Sequence, residues 1–152
     1  MAGYEYSPQQ REEYRKQQIA AADERIRKLA ESWQTDPAQI AEYLQRIEAR
    51  WPDGTGLNLG YLTHLQAQHI SHIPFENLDI MAGKPISLDR SDLFHKIITC
   101  RRGGVCSELN TLYNWLLESL GFDVTSYSAR IIASTAPVQM RSHRIIGVHM
   151  QN

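Results

Sequence analysis

The stretch Arg102-Gly103-Gly104-Val105-Cys106-Ser107-Glu108 holds the residues whose types and spacing point most directly to chemistry. A cysteine becomes a nucleophile when its thiolate is stabilised. The first turn of a helix does this, because its N–H groups lack intrahelical acceptors and the macrodipole favours negative charge. Gly103-Gly104 allows a tight turn and a close approach to a substrate carbonyl. The N–H groups around Cys106 could then form an oxyanion hole, and Arg101 and Arg102 add positive potential. Taken alone, the stretch fits a reactive thiol and equally fits a small buried cysteine at the start of a packed helix. Glu108 reads as a hydrogen-bonding member of the site or as an early-helix acid favoured by the dipole. The second cysteine, Cys100, ends the apolar run Ile97-Ile98-Thr99 and is expected to pack as a small hydrophobe.

A thiolate nucleophile needs a base or an imidazolium partner, and the chain offers six histidines. His64, His69 and His72 fall on or just after one predicted helix and read as surface or hydrogen-bonded residues. No acidic or cysteine cluster accompanies them, so no metal site is expected there. The spacing of the two cysteines does not suit zinc either. His95 sits in a short amphipathic helix, while His143 and His149 flank the final predicted strand. His143 comes after a helix and a returning strand, a path that can bring it beside Cys106, but spacing alone does not choose among the six.

These residues must be positioned by the elements around them. Asp36-Pro37 opens a helix carrying Ile40, Tyr43, Leu44 and Ile47 inward, ended by Trp51-Pro52. A turn through 52–56 leads to a helix from Asn58 to about His72, with Leu62, Leu65 and His69 on one side and Ile73-Pro74 as its stop. A further helix begins near Ser91 and buries Leu93, Phe94, Ile97 and Ile98. The helix starting at about Cys106 turns Leu109, Leu112, Tyr113, Leu116 and Leu120 inward, and Gly121 terminates it. Phe122, Val124, Tyr127, Ile131 and Ile132 suggest a strand, 133–141 a loop, and 143–150 a second strand. Residues 1–35 are charged. Ile19, Ala22, Ile26, Leu29 and Trp33 form one helical stripe there, predicting a solvated helix laid on the protein body, or alternatively a partner helix. The expected organisation is a helical extension at 1–35, a helical domain at 36–120 that bears the nucleophile, and the first strands of a second domain at 121–152. Two antiparallel strands are marginal alone and need a third strand or barrel closure, which predicts an incomplete protein with an exposed, aggregation-prone edge.

Bulk properties agree with an ordinary globular chain. Among its 152 residues, 42% are hydrophobic and 22% charged, which argues against wholesale disorder. The net charge of −1 gives no reason to expect nucleic acid or anionic lipid as a partner. No stretch approaches the ~20 apolar residues of a membrane span. The polar start Met1-Ala2-Gly3-Tyr4-Glu5 lacks an export signal and a myristoylation site, so a cytoplasmic location with reduced thiols is expected.

In four ordered segments the sequence resembles the arylamine N-acetyltransferases. Residues 102–110, RGGVCSELN, are similar to the family's nucleophile motif. Upstream, the run from Leu62 to Asp79 resembles the helix that ends in PFENLD, and Gly83-Lys84-Pro85-Ile86 resembles the segment after it. Downstream, Leu120-Gly121-Phe122-Asp123-Val124 and Ala129-Arg130 match the LGFDV and AR that open the family's barrel. The resemblance covers about residues 38–149. It implies an α+β architecture, a helical domain followed by the first strands of a β-barrel, of the papain-like cysteine protease type. It implies ping-pong acyl transfer: from acetyl-CoA or a related acyl-CoA to Cys106, then to an arylamine or hydrazine. Acetyl-CoA would be a co-substrate, with no permanently bound cofactor.

Within that resemblance His143-Arg144-Ile145-Ile146-Gly147-Val148 matches the family's H-x-x-x-x-V strand, which assigns the histidine role to His143. The family's acid lies in a DVGFG-like segment that does not occur by Asn152. The chain is therefore expected to be a truncated form whose alternative is a catalytically inactive product or incomplete gene model that at most binds a partner. A papain-like peptidase is a third reading, and PFENLD has no place in it. Glu76 and Arg102 carry opposite charges in the two strongest motifs and are expected to pair and fix the nucleophile loop. Arg102, Gly103, Gly104, Glu108 and Glu76 are thus the expected support for Cys106 and His143.

Overall fold

The computed structural model describes residues 36–52, 56–130 and 143–150, together with Gln9 and Glu13, which are helical and exposed. The expected 1–35 stripe, the strand residues Ile131 and Ile132, and the loop at 133–141 lie outside the described residues. The chain divides into two units, 1–36 and 37–152, and the second carries all the elements that follow.

Helix α1, Pro37–Arg46, places proline at its first position, where the missing N–H costs nothing. Ile40, Tyr43, Leu44 and the following Ile47 are buried, as their spacing predicts. The helix ends earlier than Trp51-Pro52: Glu48 turns the backbone into the left-handed region at φ 54°. Helix α2, Leu59–His72, is capped by Asn58, whose side chain accepts the Tyr61 N–H at 2.9 Å. Its buried stripe is Tyr61, Leu65 and His69, with Leu62 half-buried. The chain becomes extended at Ile73, ahead of Pro74.

A single helical turn, α3 at Leu78–Met81, was not expected from periodicity. Helix α4, Arg90–Phe94, starts at an Asp89 cap and runs directly into a π-helical turn, His95–Thr99. Leu93, Phe94, Ile97 and Ile98 are all buried, as expected. Cys100 departs from its expectation. It is exposed, because the wider i→i+5 turn rotates the chain away from the 3.6-residue stripe that had placed it inside.

Helix α5, Cys106–Leu120, is the spine of the unit. Leu109, Leu112, Tyr113 and Leu116 point inward as predicted, and Trp115 and Leu117 join them, while Leu120 is only half-buried. Trp115 meets Phe94 edge to face at 6.0 Å between ring centroids, and Tyr61 stacks on Phe122 at 6.3 Å. Each such side chain contributes about 1.5–3 kcal/mol by burial. Gly121 closes the helix in the left-handed conformation, φ 100°, as expected. Strands β1, Asp123–Ala129, and β2, His143–His149, pair antiparallel from Asp123–His149 to Ala129–His143. They are the strands of the sheet among the described residues, so the unit is α+β, with its core between the helices.

Candidate active site

Cys106 is the first residue of α5. Val105, at the N-cap, has no side-chain oxygen to offer the first turn, so helix geometry leaves the N–H groups of Ser107 and Glu108 without intrahelical acceptors. Glu108 reaches back instead: its Oε2 accepts the Val105 N–H at 2.9 Å. That bond fixes the entry of the chain into the helix, the role a glutamate at this position plays in a capping box. Glu108 is buried and its other oxygen lies 2.8 Å from Lys96 Nζ. Both of its oxygens are therefore hydrogen-bonded, beyond what an early-helix acid favoured by the dipole alone would require.

The two glycines answer to the protein's own packing. Neither has a positive φ, and the left-handed residue of the loop is Arg101, at φ 54°. A Cβ on Gly103 would sit 1.8 Å from the Pro74 carbonyl oxygen, and one on Gly104 would sit 2.9 Å from Glu108 Oε2. The loop runs this close because Phe75 and Gly104 form a parallel β-bridge, with the Glu76 N–H donating to the Gly104 carbonyl at 3.0 Å. The PFEN segment and the loop at 102–105 are thus locked side by side.

The expected pairing of Glu76 with Arg102 is present. Arg102 Nη2 donates to Glu76 Oε1 at 2.7 Å, and Nη1 donates to Asp79 Oδ1 at 2.9 Å. Glu76 Oε2 in turn accepts the Leu78 N–H at 2.8 Å and starts α3. Asp79 also meets Lys96 at 2.8 Å, and the Lys96 and Arg102 bonds push its carboxyl down to about 2. The Arg102 charge is therefore spent on two carboxylates and does not stand open as general positive potential. Sequence reasoning missed Asp79, Lys96 and Arg46. Arg46 is buried, and its guanidinium donates to the carbonyls of His72 at 2.7 Å, Ile97 at 3.4 Å and Arg101 at 3.4 Å. It ties the ends of α1, α2 and the π-helical turn to the strained Arg101. The Asp79 signal was available within PFENLD; Arg46 and Lys96 carry none, because nothing in their spacing marks what they bind.

His143 opens β2, opposite Ala129. Its neighbour Arg144 anchors that end of the strand to α5: the Asn110 amide donates to the Arg144 carbonyl, and Arg144 Nη1 donates to Thr111 Oγ1 at 2.9 Å. Arg144 Nε donates to Ser126 Oγ on β1 at 2.7 Å. Asn110 and Thr111 lie one turn beyond Cys106, so the start of β2 is seated on the N-terminal end of the helix. Asn110 belongs to the sequence motif, but its anchoring role was not foreseen.

Of the other histidines, His69 is buried and bonded through Nδ1 to the Tyr43 hydroxyl at 2.9 Å. Burial, with the Arg46 charge, pushes it down to about 4, which makes it a neutral acceptor in the core. His72 bonds the Gln68 carbonyl, and His149 faces Thr125 across the strands. His95 lies 3.4 Å from the Cys100 sulfur. Among the described residues no cluster of three metal-ligating side chains occurs, and no helix is long and apolar enough to cross a membrane.

Residues 58–152 match the N-acetyltransferase family. The chain is 36% identical over 113 residues to the arylamine N-acetyltransferase of Escherichia coli (strain K12), covering 74% of this chain and 40% of that protein. The structure of the arylamine N-acetyltransferase from M. tuberculosis superposes with a TM-score of 0.67 at 35% identity, over 74% of this chain and 42% of that one. The Mycobacterium marinum arylamine N-acetyltransferase in complex with CoA gives a TM-score of 0.66 at 32% identity, over 72% and 41%. The chain thus spans about two fifths of the length of these relatives and shares their fold over that part.

Proposed function

Since this chain belongs to the arylamine N-acetyltransferase family, we propose that it carries the acyl-accepting centre of an enzyme that moves an acetyl group from acetyl-CoA to an arylamine or hydrazine. The observation that carries the reading is the placement of Cys106 at the first turn of α5, behind a loop clamped by Arg102, with the start of β2 tied to the next turn of that helix. Residues 36–120 would supply the nucleophile and 121–152 the histidine strand, with 1–35 as an extension. A small acyl-CoA and a small aromatic amine are the partners, in the cytoplasm.

In this scheme the Cys106 thiolate attacks the thioester carbonyl. Its sulfur bonds to the acyl carbon, the bond from that carbon to the CoA sulfur breaks, and CoA leaves as a thiolate that takes up the proton from the His143 imidazolium. The N–H groups at the start of α5 offer charge stabilisation to the tetrahedral oxygen, and the helix dipole favours the anion. The amine nitrogen then attacks the Cys106 thioester. His143 accepts the N–H proton as the C–S bond breaks, which regenerates the thiolate. The test is release of CoA thiol on mixing acetyl-CoA with an aromatic amine. Cys106→Ser and His143→Gln, each folded by circular dichroism, should both abolish it. Turnover unchanged in Cys106→Ser would refute the reading.

A further inference from the structure

Lys96 has no part in the scheme above, yet it bridges the two supports of the nucleophile loop. Its Nζ lies 2.8 Å from Asp79 Oδ2 and 2.8 Å from Glu108 Oε1, and its side chain is largely buried. Burial pulls its ammonium down, but the bonds to Asp79 and Glu108 outweigh that and hold it raised, so it is a cation at neutral pH. Glu108 is buried two residues beyond Cys106. A bare carboxylate there opposes a thiolate at the same helix start, because like charges disfavour one another's ionisation. Glu108 must nevertheless stay, since its second oxygen holds the Val105 N–H.

We propose that Lys96 is a positioning residue that cancels the Glu108 charge and so leaves the N-terminal field of α5 free to hold Cys106 as the thiolate. The proposal rests on Cys106 being the nucleophile. The surrounding charges do not replace it. Asp79 is shared between Lys96 and Arg102, and Arg102 is further bound to Glu76. Lys84 lies 3.9 Å from Asp79, and it opens with Asp92, His95 and Cys100 onto a pocket of about 340 Å³ that the network residues also line. From β2, Arg144 is bonded to Thr111, and His143 begins the strand. Among the described residues, the cation bonded to Glu108 is Lys96.

The test is the pH profile of Cys106 alkylation by iodoacetamide in the full chain, read by peptide mapping so that Cys100 is scored separately. Lys96→Met should raise the midpoint and slow alkylation at neutral pH about tenfold, equivalent to one pKa unit. Lys96→Arg should keep the wild-type profile. Glu108→Gln, which keeps an acceptor for Val105, should lower the midpoint, and the double variant should return it towards wild type. An unshifted midpoint in folded Lys96→Met overturns the proposal. If that variant does not fold, identical midpoints in Glu108→Gln and the double variant overturn it. A wild-type Cys106 that reacts at no pH would instead sink the nucleophile reading, and this proposal with it.

Discussion

The loop that leads into Cys106 is held by contacts that single atoms decide. Gly103 has no room for a methyl group, since its Cβ would overlap the Pro74 carbonyl oxygen at 1.8 Å. Gly103→Ala should therefore force the loop off the Phe75–Gly104 bridge and lower unfolding free energy by about 2–4 kcal/mol in a denaturant titration. A loss below a few tenths would show that the loop relaxes freely. Glu76→Ala leaves Arg102 with Asp79 alone and removes the acceptor that starts α3. We expect a lower melting temperature and slower Cys106 alkylation; no change in either would mean that the pair does not fix the loop. At this scale the sequence was partly legible. Opposite charges in the two strongest motifs were enough to pair Glu76 with Arg102. The partners Lys96 and Asp79 required the fold, because the π-helical turn brings Lys96 to Glu108 and α3 brings Asp79 to Lys96, each from a distant position.

Among elements, the packing of α1 on α2 carries a pH signature. His69 is buried against Tyr43, and burial holds it down to about 4, against an ordinary value near 6.5 in the unfolded chain. Above pH 6.5 both states leave it neutral and the full stability is present. As pH falls from 6.5 towards 4 the unfolded chain takes the proton first, so stability is lost, by on the order of 3 kcal/mol across that window. His69→Gln retains an acceptor for the Tyr43 hydroxyl without titrating, and urea unfolding across that window should show a correspondingly flatter dependence. An equal slope in both proteins would place the titrating group elsewhere. Helix positions were well read from the sequence because boundary residues and apolar spacing agree, as at Asn58 and Gly121. The failures share a physical cause. Cys100 was misplaced because a π-helical turn breaks the 3.6-residue period, and α3 was missed because one turn is too short to show a period.

Taken whole, the unit buries a full helical core yet exposes large apolar side chains beside the loop that leads into Cys106. Phe75 is 68% exposed, Leu78 62% and Met81 77%. Together with a two-stranded sheet, this surface should make the 152-residue chain associate with rising concentration. Light scattering that stays monomeric over a wide concentration range would contradict that. The architecture was legible as helices followed by strands, and the structural relatives share it over 74% of the chain. The seating of β2 on α5 was not legible, because it depends on Asn110, Thr111 and Arg144, residues that no spacing rule joins. The central claim is that Cys106 takes up an acyl group, and intact-protein mass after mixing with acetyl-CoA, and in parallel with malonyl-CoA, tests it most directly. The account predicts an acyl adduct that is absent in Cys106→Ala and is discharged by an aromatic amine. No adduct on soluble, folded protein, or one that persists in Cys106→Ala, would contradict it.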